Sequence, residues 1–469
     1  MVTYAQVRQA RPAAWDACAV ALRRLASVLV SRADSLGGAT TRLRAGWNGP
    51  AAEAAERRMR ALAESLAELH PLLLTADQIL ADHAGRVAHA QRVSDVPAAT
   101  AAASATDAEA AARLGALVPE LDPAGPQPAA PAWVPPPGSD PGLVRRWWEG
   151  LPESARRWML VGDPARLGRL DGVPSAARDQ ANRLVFTRER ERLAGRTDAP
   201  SAATVRGLDA ILARLERDQP ARAYLLGLDT TGRGRAIVAV GDPDRAADVL
   251  TYVPGAGSRL SAAGGLLTST DRLAVHADRP AGAPAVVLWL GYDAPDSLLG
   301  ASRVPGARAE SDLDQFTDGL RATHEGARAH QTVLGHSYGS TLVGYTAATR
   351  GLDVDDIVVV GSPGIGAAHA GDLGVPADHV WSGTARYDPI RLTGLAHALP
   401  LSLRWPDDAG SALWFGADPS RPEFGGHVFT TEPGSLRDPG RAHGGYFDEG
   451  NDALDDIGAI TVGDYDAVR

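Results

Sequence analysis

Residues 332–340 read Thr-Val-Leu-Gly-His-Ser-Tyr-Gly-Ser (TVLGHSYGS), an apolar run that meets Gly335-His336-Ser337-Tyr338-Gly339 and continues at once into a helix-like segment. This order predicts a strand, a sharp turn and a helix, with the Ser337 hydroxyl exposed on the turn, the layout of a nucleophile elbow. Gly335 and Gly339 allow the turn to fold against neighbouring backbone where a side chain would collide. Ser337 is the candidate nucleophile. Gly and Ser are common, so the five-residue pattern needs context to carry meaning.

Apolar runs bounded by turn residues flank the elbow on both sides. They are 223–229 (AYLLGLD), 236–242 (AIVAVGD), 249–255 (VLTYVPG), 285–293 (AVVLWLGYD), 331–337, 357–362 (IVVVGS) and 379–387 (HVWSGTARY). Nearly continuous apolar character marks strands covered on both faces, as in a parallel sheet between helices. Helical patterns near 313–327 and 341–349 supply crossovers. The expectation is an α/β architecture, a mostly parallel sheet covered by helices, with the elbow after about the fifth strand.

Upstream, Trp15, Cys18, Leu22, Leu25, Leu29, Leu36 and Leu43 recur mostly at three- and four-residue spacing, as do Met59, Leu62, Leu66, Leu69, Leu73, Ala76 and Leu80. Two such stripes predict a helical hairpin whose leucines bury each other, turning at Gly46-Trp47-Asn48-Gly49-Pro50. Pro71 should bend the second helix. Residues 119–142 (PELDPAGPQPAAPAWVPPPGSDPG) are proline-rich and read as an extended linker that few contacts cross. The expected division is a hairpin domain 1–118, the linker 119–142, and a catalytic domain 143–469 that begins with several short helices over 143–220.

Composition narrows the chemistry. The 469 residues carry a formal net charge of −10 and 44% hydrophobic residues, with no dense basic run, so nucleic acid is not an expected partner. There is no lysine, which excludes Schiff-base and P-loop lysine chemistry. Cys18 is the single cysteine, so no internal disulfide or zinc–cysteine cluster can form, and it reads as a small apolar residue on a helix face. The opening MVTYAQVRQARPAAW has no continuous apolar stretch, and nothing approaches a membrane span. The reading is a cytoplasmic protein without metal or cofactor, with non-classical export left open.

A serine hydroxyl needs an imidazole to take its proton and a carboxylate to hold that imidazole. Asp388 follows the seventh apolar run, in SGTARYDPI, and is the candidate acid; the alternative is a plain turn before Pro389. Asp353, Asp355 and Asp356 lie at the wrong end of their strand. Of the histidines beyond Asp388, His397 reads as helix and core, and His427, entering a strand-like run, as a sheet histidine or the alternative base. His443, in RAHGGYFDEG on a Gly-rich loop before the last helical pattern, is the candidate base. An oxyanion needs preorganised amide donors. Tyr338, after the serine, is one candidate. Ala256 or Gly257, in Pro254-Gly255-Ala256-Gly257-Ser258, is the other. His336, Tyr292 and Asp293 are candidate pocket residues.

Elbow, strand rhythm and the order Ser–acid–His resemble the α/β-hydrolase fold. Four stretches are similar to an actinobacterial branch of it with a GHSYG elbow: LGRLDGVPSAARDQANR from Leu167, YVPGAGS from Tyr252, WLGYDAP from Trp289 and GHSYGS from Gly335. That resemblance also places the base in a His-x-x-Tyr loop. The Trp-x-Gly turn between two helices resembles the small helical-hairpin proteins of type VII secretion. Their Tyr-x-x-x-Asp/Glu export signal is missing, since no tyrosine lies between Tyr4 and Tyr224. The function expected is a serine hydrolase acting on a small-molecule ester or lipid-like acyl substrate. The alternatives are an acyltransferase, or a secretion-linked interaction protein whose N-terminal helices bind a protein partner or self-associate.

Overall fold

The apolar runs pair into one eight-stranded sheet in the computed structural model. The structure describes residues 2–47, 49–117, 130–279, 282–298, 301, 305–397 and 415–469, leaving aside the side chains of 43–45 and 394–397. Asn48, the first eleven residues of the expected linker and the His397 side chain therefore lie outside the described residues.

The strands are β1 (Ala223–Asp229), β2 (Arg235–Val240), β3 (Asp248–Val253), β4 (Ala285–Leu290), β5 (His330–His336), β6 (Asp356–Val360), β7 (Val380–Gly383) and the two-residue β8 (His427–Val428). Their order across the sheet is β1-β2-β4-β3-β5-β6-β7-β8. β1, β2 and β4 pair antiparallel, and every pair from β4 through β3 to β8 is parallel. Each residue of β4 and β6 is buried, which is why these runs show no polar alternation.

The helices are α1 (Tyr4–Gln9), α2 (Pro12–Gly46), α3 (Pro50–Arg92), α4 (Val96–Leu117), α5 (Pro141–Gly150), α6 (Glu153–Gly162), α7 (Pro164–Leu167), α8 (Ser175–Leu193), α9 (Ala199–Leu215), α10 (Ala263–His276), α11 (Ala307–Thr323), α12 (Tyr338–Arg350), α13 (Pro439–Gly444) and α14 (Asp452–Thr461). Two cores form, one on each face of the sheet. Val358 and Val360 point into a core with α8, α9, α10 and α14. Ile357 and Val359, alternate residues of the same strand, point into a core with α11 and α12. This is the α/β-hydrolase architecture, preceded by a helical region, α1–α4.

The N-terminal region departs from expectation in three ways. α4 is a further long helix beyond the hairpin. In α2 the buried line is Ala19, Arg23, Ala26, Val30 and Ala33, whereas Leu25 is exposed, as are Leu62 on α3 and Cys18. The most buried positions of α2 are therefore mainly small side chains and not its leucines. The expectation that few contacts would cross to the catalytic region does not hold. Asp77 of α3 receives Arg23 Nε at 2.8 Å and Arg222 at 2.9 Å, and Arg222 also reaches Asp179 of α8 at 3.0 Å. Arg23 further donates to the Leu215 carbonyl at 2.6 Å and to Asp218 at 2.9 Å. Arg222 precedes β1, at the strand ends where β4 and β5 begin, so this buried network lies across the sheet from the turn after β5.

Candidate active site

β5 ends at His336 and α12 begins at Tyr338, which leaves Ser337 alone on the turn. Its backbone sits at φ 54° and ψ −130°, the only positive φ of a non-glycine residue among the described residues. That conformation costs energy and persists only where the surroundings enforce it. The enforcement is visible: Ser337 N–H donates to the Val360 carbonyl at the end of β6, 3.0 Å away. A Cβ on Gly335 would stand 2.5 Å from Ser340 Cα, and one on Gly339 2.2 Å from the Val253 carbonyl oxygen, so both glycines are required by contact.

Asp388 and His443 come from separate segments and meet at this serine. His443 Nε2 lies 2.8 Å from Ser337 Oγ, and its Nδ1 lies 3.0 Å from each Asp388 carboxylate oxygen. Asp388 and Ser337 are buried, while His443 keeps one edge open. Asp388 Oδ1 also accepts the Ile390 amide at 2.8 Å. The turn role and the histidine contact, alternatives in the sequence, are both present. With Nδ1–H donated to the carboxylate, Nε2 presents its lone pair to the serine hydroxyl. His427 is elsewhere, stacked on Trp381 at 4.6 Å in β8.

His336, next to the serine, turns toward the base. Its Nε2–H donates to the His443 carbonyl at 2.8 Å, and its ring packs edge-on to Tyr446 and Phe447. Burial, with the neighbouring His443, pushes its pKa down to about 4, so it is neutral at pH 7. Tyr446, which was not a candidate from the sequence, donates its hydroxyl to Asp388 Oδ2 at 2.6 Å. Its place three residues after His443 was the available signal.

The loop after β3 closes over the elbow. A Cβ on Gly255 would lie 2.6 Å from Ser337 Cβ, which puts this backbone directly beside the hydroxyl. Gly257 N–H is committed to the Pro295 carbonyl at 2.6 Å, whereas among the described residues Ala256 N–H meets no backbone acceptor. The geometry thus separates two positions that the sequence left equivalent. Tyr292 is a prop and not a free pocket group: its hydroxyl donates to the Pro254 carbonyl at 2.6 Å, and its ring stacks with Tyr338. Asp293 is exposed and makes no hydrogen bond to the Ser337–His443–Asp388 group among the described residues. Among the described residues no cluster of His, Cys, Asp or Glu is arranged to hold a metal ion, and no helix is long and apolar enough to cross a membrane.

The profile of the alpha/beta hydrolase family matches residues 229–398, a span that includes the elbow and Asp388. The uncharacterized protein Rv0963c of Mycobacterium tuberculosis is 36% identical over 198 residues, 39% of this chain and 72% of its own length. The chain belongs to the alpha/beta hydrolase family. A longer relative, the uncharacterized protein Rv2079 of Mycobacterium tuberculosis, is 32% identical over 390 residues, or 73% of this hydrolase-family chain. The chain spans 58% of the length of that relative. The uncharacterized protein Mb0988c of Mycobacterium bovis matches like Rv0963c, at 36% over 198 residues.

Proposed function

We propose that this hydrolase is a serine hydrolase that cleaves an ester or lipid-like acyl substrate through an acyl-enzyme on Ser337. The observation that carries the reading is the continuous chain from Asp388 through His443 to Ser337 Oγ, with bonds of 3.0 and 2.8 Å. His443 takes the hydroxyl proton as Oγ attacks the acyl carbon. Asp388 keeps the imidazole in the required tautomer and stabilises the imidazolium that forms. The amides of Tyr338, at the start of α12, and of Ala256 receive the developing oxyanion, and the helix start adds its partial positive charge. His443 then protonates the leaving alkoxide. Water, deprotonated by the same imidazole, releases the acid and restores the serine. No step calls for a metal.

In this reading residues 143–469 hold the whole of the chemistry, and residues 1–118 stabilise them from the opposite end of the sheet. A panel of p-nitrophenyl esters of rising acyl length tests the substrate class. Turnover of at least one ester is expected, and an active protein that turns over none of them would count against an ester substrate.

A further inference from the structure

Tyr446 is buried, at 1% exposure, and its hydroxyl has two partners: it accepts from the Ala385 amide at 3.0 Å and donates to Asp388 Oδ2 at 2.6 Å. Asp388 therefore receives Tyr446 on one oxygen and the Ile390 amide on the other, while His443 Nδ1 faces both. The space for this contact is made by Gly361, just past β6, at φ +54°. A Cβ there would come within 2.9 Å of Tyr446 Cε2 and 3.0 Å of Asp388 Oδ2. Burial, then the charge of Asp388, pushes the tyrosine pKa far above its usual range, so the hydroxyl stays a donor at every working pH.

We infer that Tyr446 is a positioning residue for the proposed hydrolase reaction, holding Asp388 against His443 and sharing the charge that the carboxylate turns on the imidazole. The inference rests on the proposed Ser337–His443–Asp388 reading. A hydrogen bond to a carboxylate spreads its negative charge, so less of it stabilises the imidazolium; loss of the bond makes the imidazolium easier to form. The other groups facing the pair are Ser337, the neutral His336 and Arg391, whose guanidinium is bound to the carbonyls of Thr384 and Ala385. None of these supplies a second donor to Oδ2 among the described residues.

The test uses the full chain and an activated ester. Tyr446→Phe keeps the ring and removes only the hydroxyl. It should lower kcat roughly tenfold with KM little changed, as expected for loss of a bond to a charged group. It should also move the acidic limb of the kcat/KM profile to higher pH. In an Asp388→Asn background the same change should cost little further, because Tyr446 acts through Asp388. Gly361→Ala, which forces the two side chains apart, should move the limb in the same direction and serves if Tyr446→Phe does not fold. An unmoved acidic limb in either folded variant, or a full additional loss in the Asn background, overturns the inference. Labelling of wild-type Ser337 by a fluorophosphonate separates the two levels: labelling with an unmoved limb rejects only the role of Tyr446, and absence of labelling rejects the serine reading beneath it.

Discussion

His336 Nε2 lies 2.8 Å from the carbonyl oxygen of His443, so the residue before the candidate nucleophile holds the backbone of the candidate base. His443 lies in the short helix α13 and not on the loop expected from the sequence, and this bond ties α13 to the strained turn beside the Ser337–His443 contact. His336→Phe keeps a ring in the same place and removes the donor. It should lower kcat roughly five- to tenfold, the worth of one neutral hydrogen bond, with little loss of secondary structure by circular dichroism. Wild-type turnover in that variant would show that the bond does not position the base.

On the acid side, buried neutral histidines should cost the fold stability as the unfolded chain takes up protons. His70, buried between the carbonyls of Ala26 and Gln180, has its pKa pushed down to about 4 by burial, as His336 does. Between pH 6.5 and 4 the unfolded chain binds protons that the folded chain refuses. This stability is complete above pH 6.5 and is lost as pH falls toward 4, on the order of 3 kcal/mol for His70 alone. Urea midpoints measured from pH 7 to 4.5 should decline, and less steeply in His70→Gln.

The opposite sign is expected at His330. Its Nδ1 faces the Thr461 carbonyl at 3.0 Å and its Nε2 faces buried Asp356 at 2.7 Å, two acceptors that favour the imidazolium, the form that donates at both nitrogens. Burial lowers its pKa, but the hydrogen bonds to Asp356 and the Thr461 carbonyl and the charges of Asp356 and Asp355 together outweigh this, and the net direction is upward. The stability it adds is present below pH 6.5 and lost as pH rises through the raised value. Thermal midpoints of His330→Gln should therefore approach those of the wild type as pH rises from 6 to 9. A constant gap would contradict the ion pair.

The docking of the N-terminal helices should be separable from chemistry. Asp77→Ala leaves Arg23 and Arg222, at side-chain exposures of 2% and 5%, without the carboxylate between them. A loss of about 3–5 kcal/mol in unfolding free energy is expected for a broken buried pair, with kcat/KM of the surviving folded protein near that of the wild type. A large loss of kcat/KM in folded Asp77→Ala would show that the helical region reaches the active site.

What the sequence made legible follows its physics. The strands were readable because a two-sided core demands continuous apolar runs such as AVVLWL in β4. The sharp turn at Ser337 was readable because its glycines and serine answer to contact and strain. α8 was hidden within a segment expected to hold only short helices, since its buried face carries Arg178, Asp179, Asn182 and Arg183, and hydrophobic periodicity cannot register a polar core. α4 buries alanines and one threonine and shows no stripe. The choice between Ala256 and Gly257 depends on a bond to Pro295 from a distant loop, which local sequence does not encode. Tyr446 was marked only by its place three residues after His443, and the hold of His336 on the base is again a contact between distant segments.

In the proposed reaction Ser337 is a nucleophile activated by His443. The most direct measurement is labelling of the full chain by a fluorophosphonate, with the modified residue located by mass spectrometry, in the wild type, Ser337→Ala and His443→Ala. One phosphonylated residue, Ser337, is expected in the wild type, with no label in Ser337→Ala and labelling slowed by several orders of magnitude in folded His443→Ala. A wild-type protein that stays unlabelled, a label on another residue, or a His443→Ala variant that labels at the wild-type rate would contradict it.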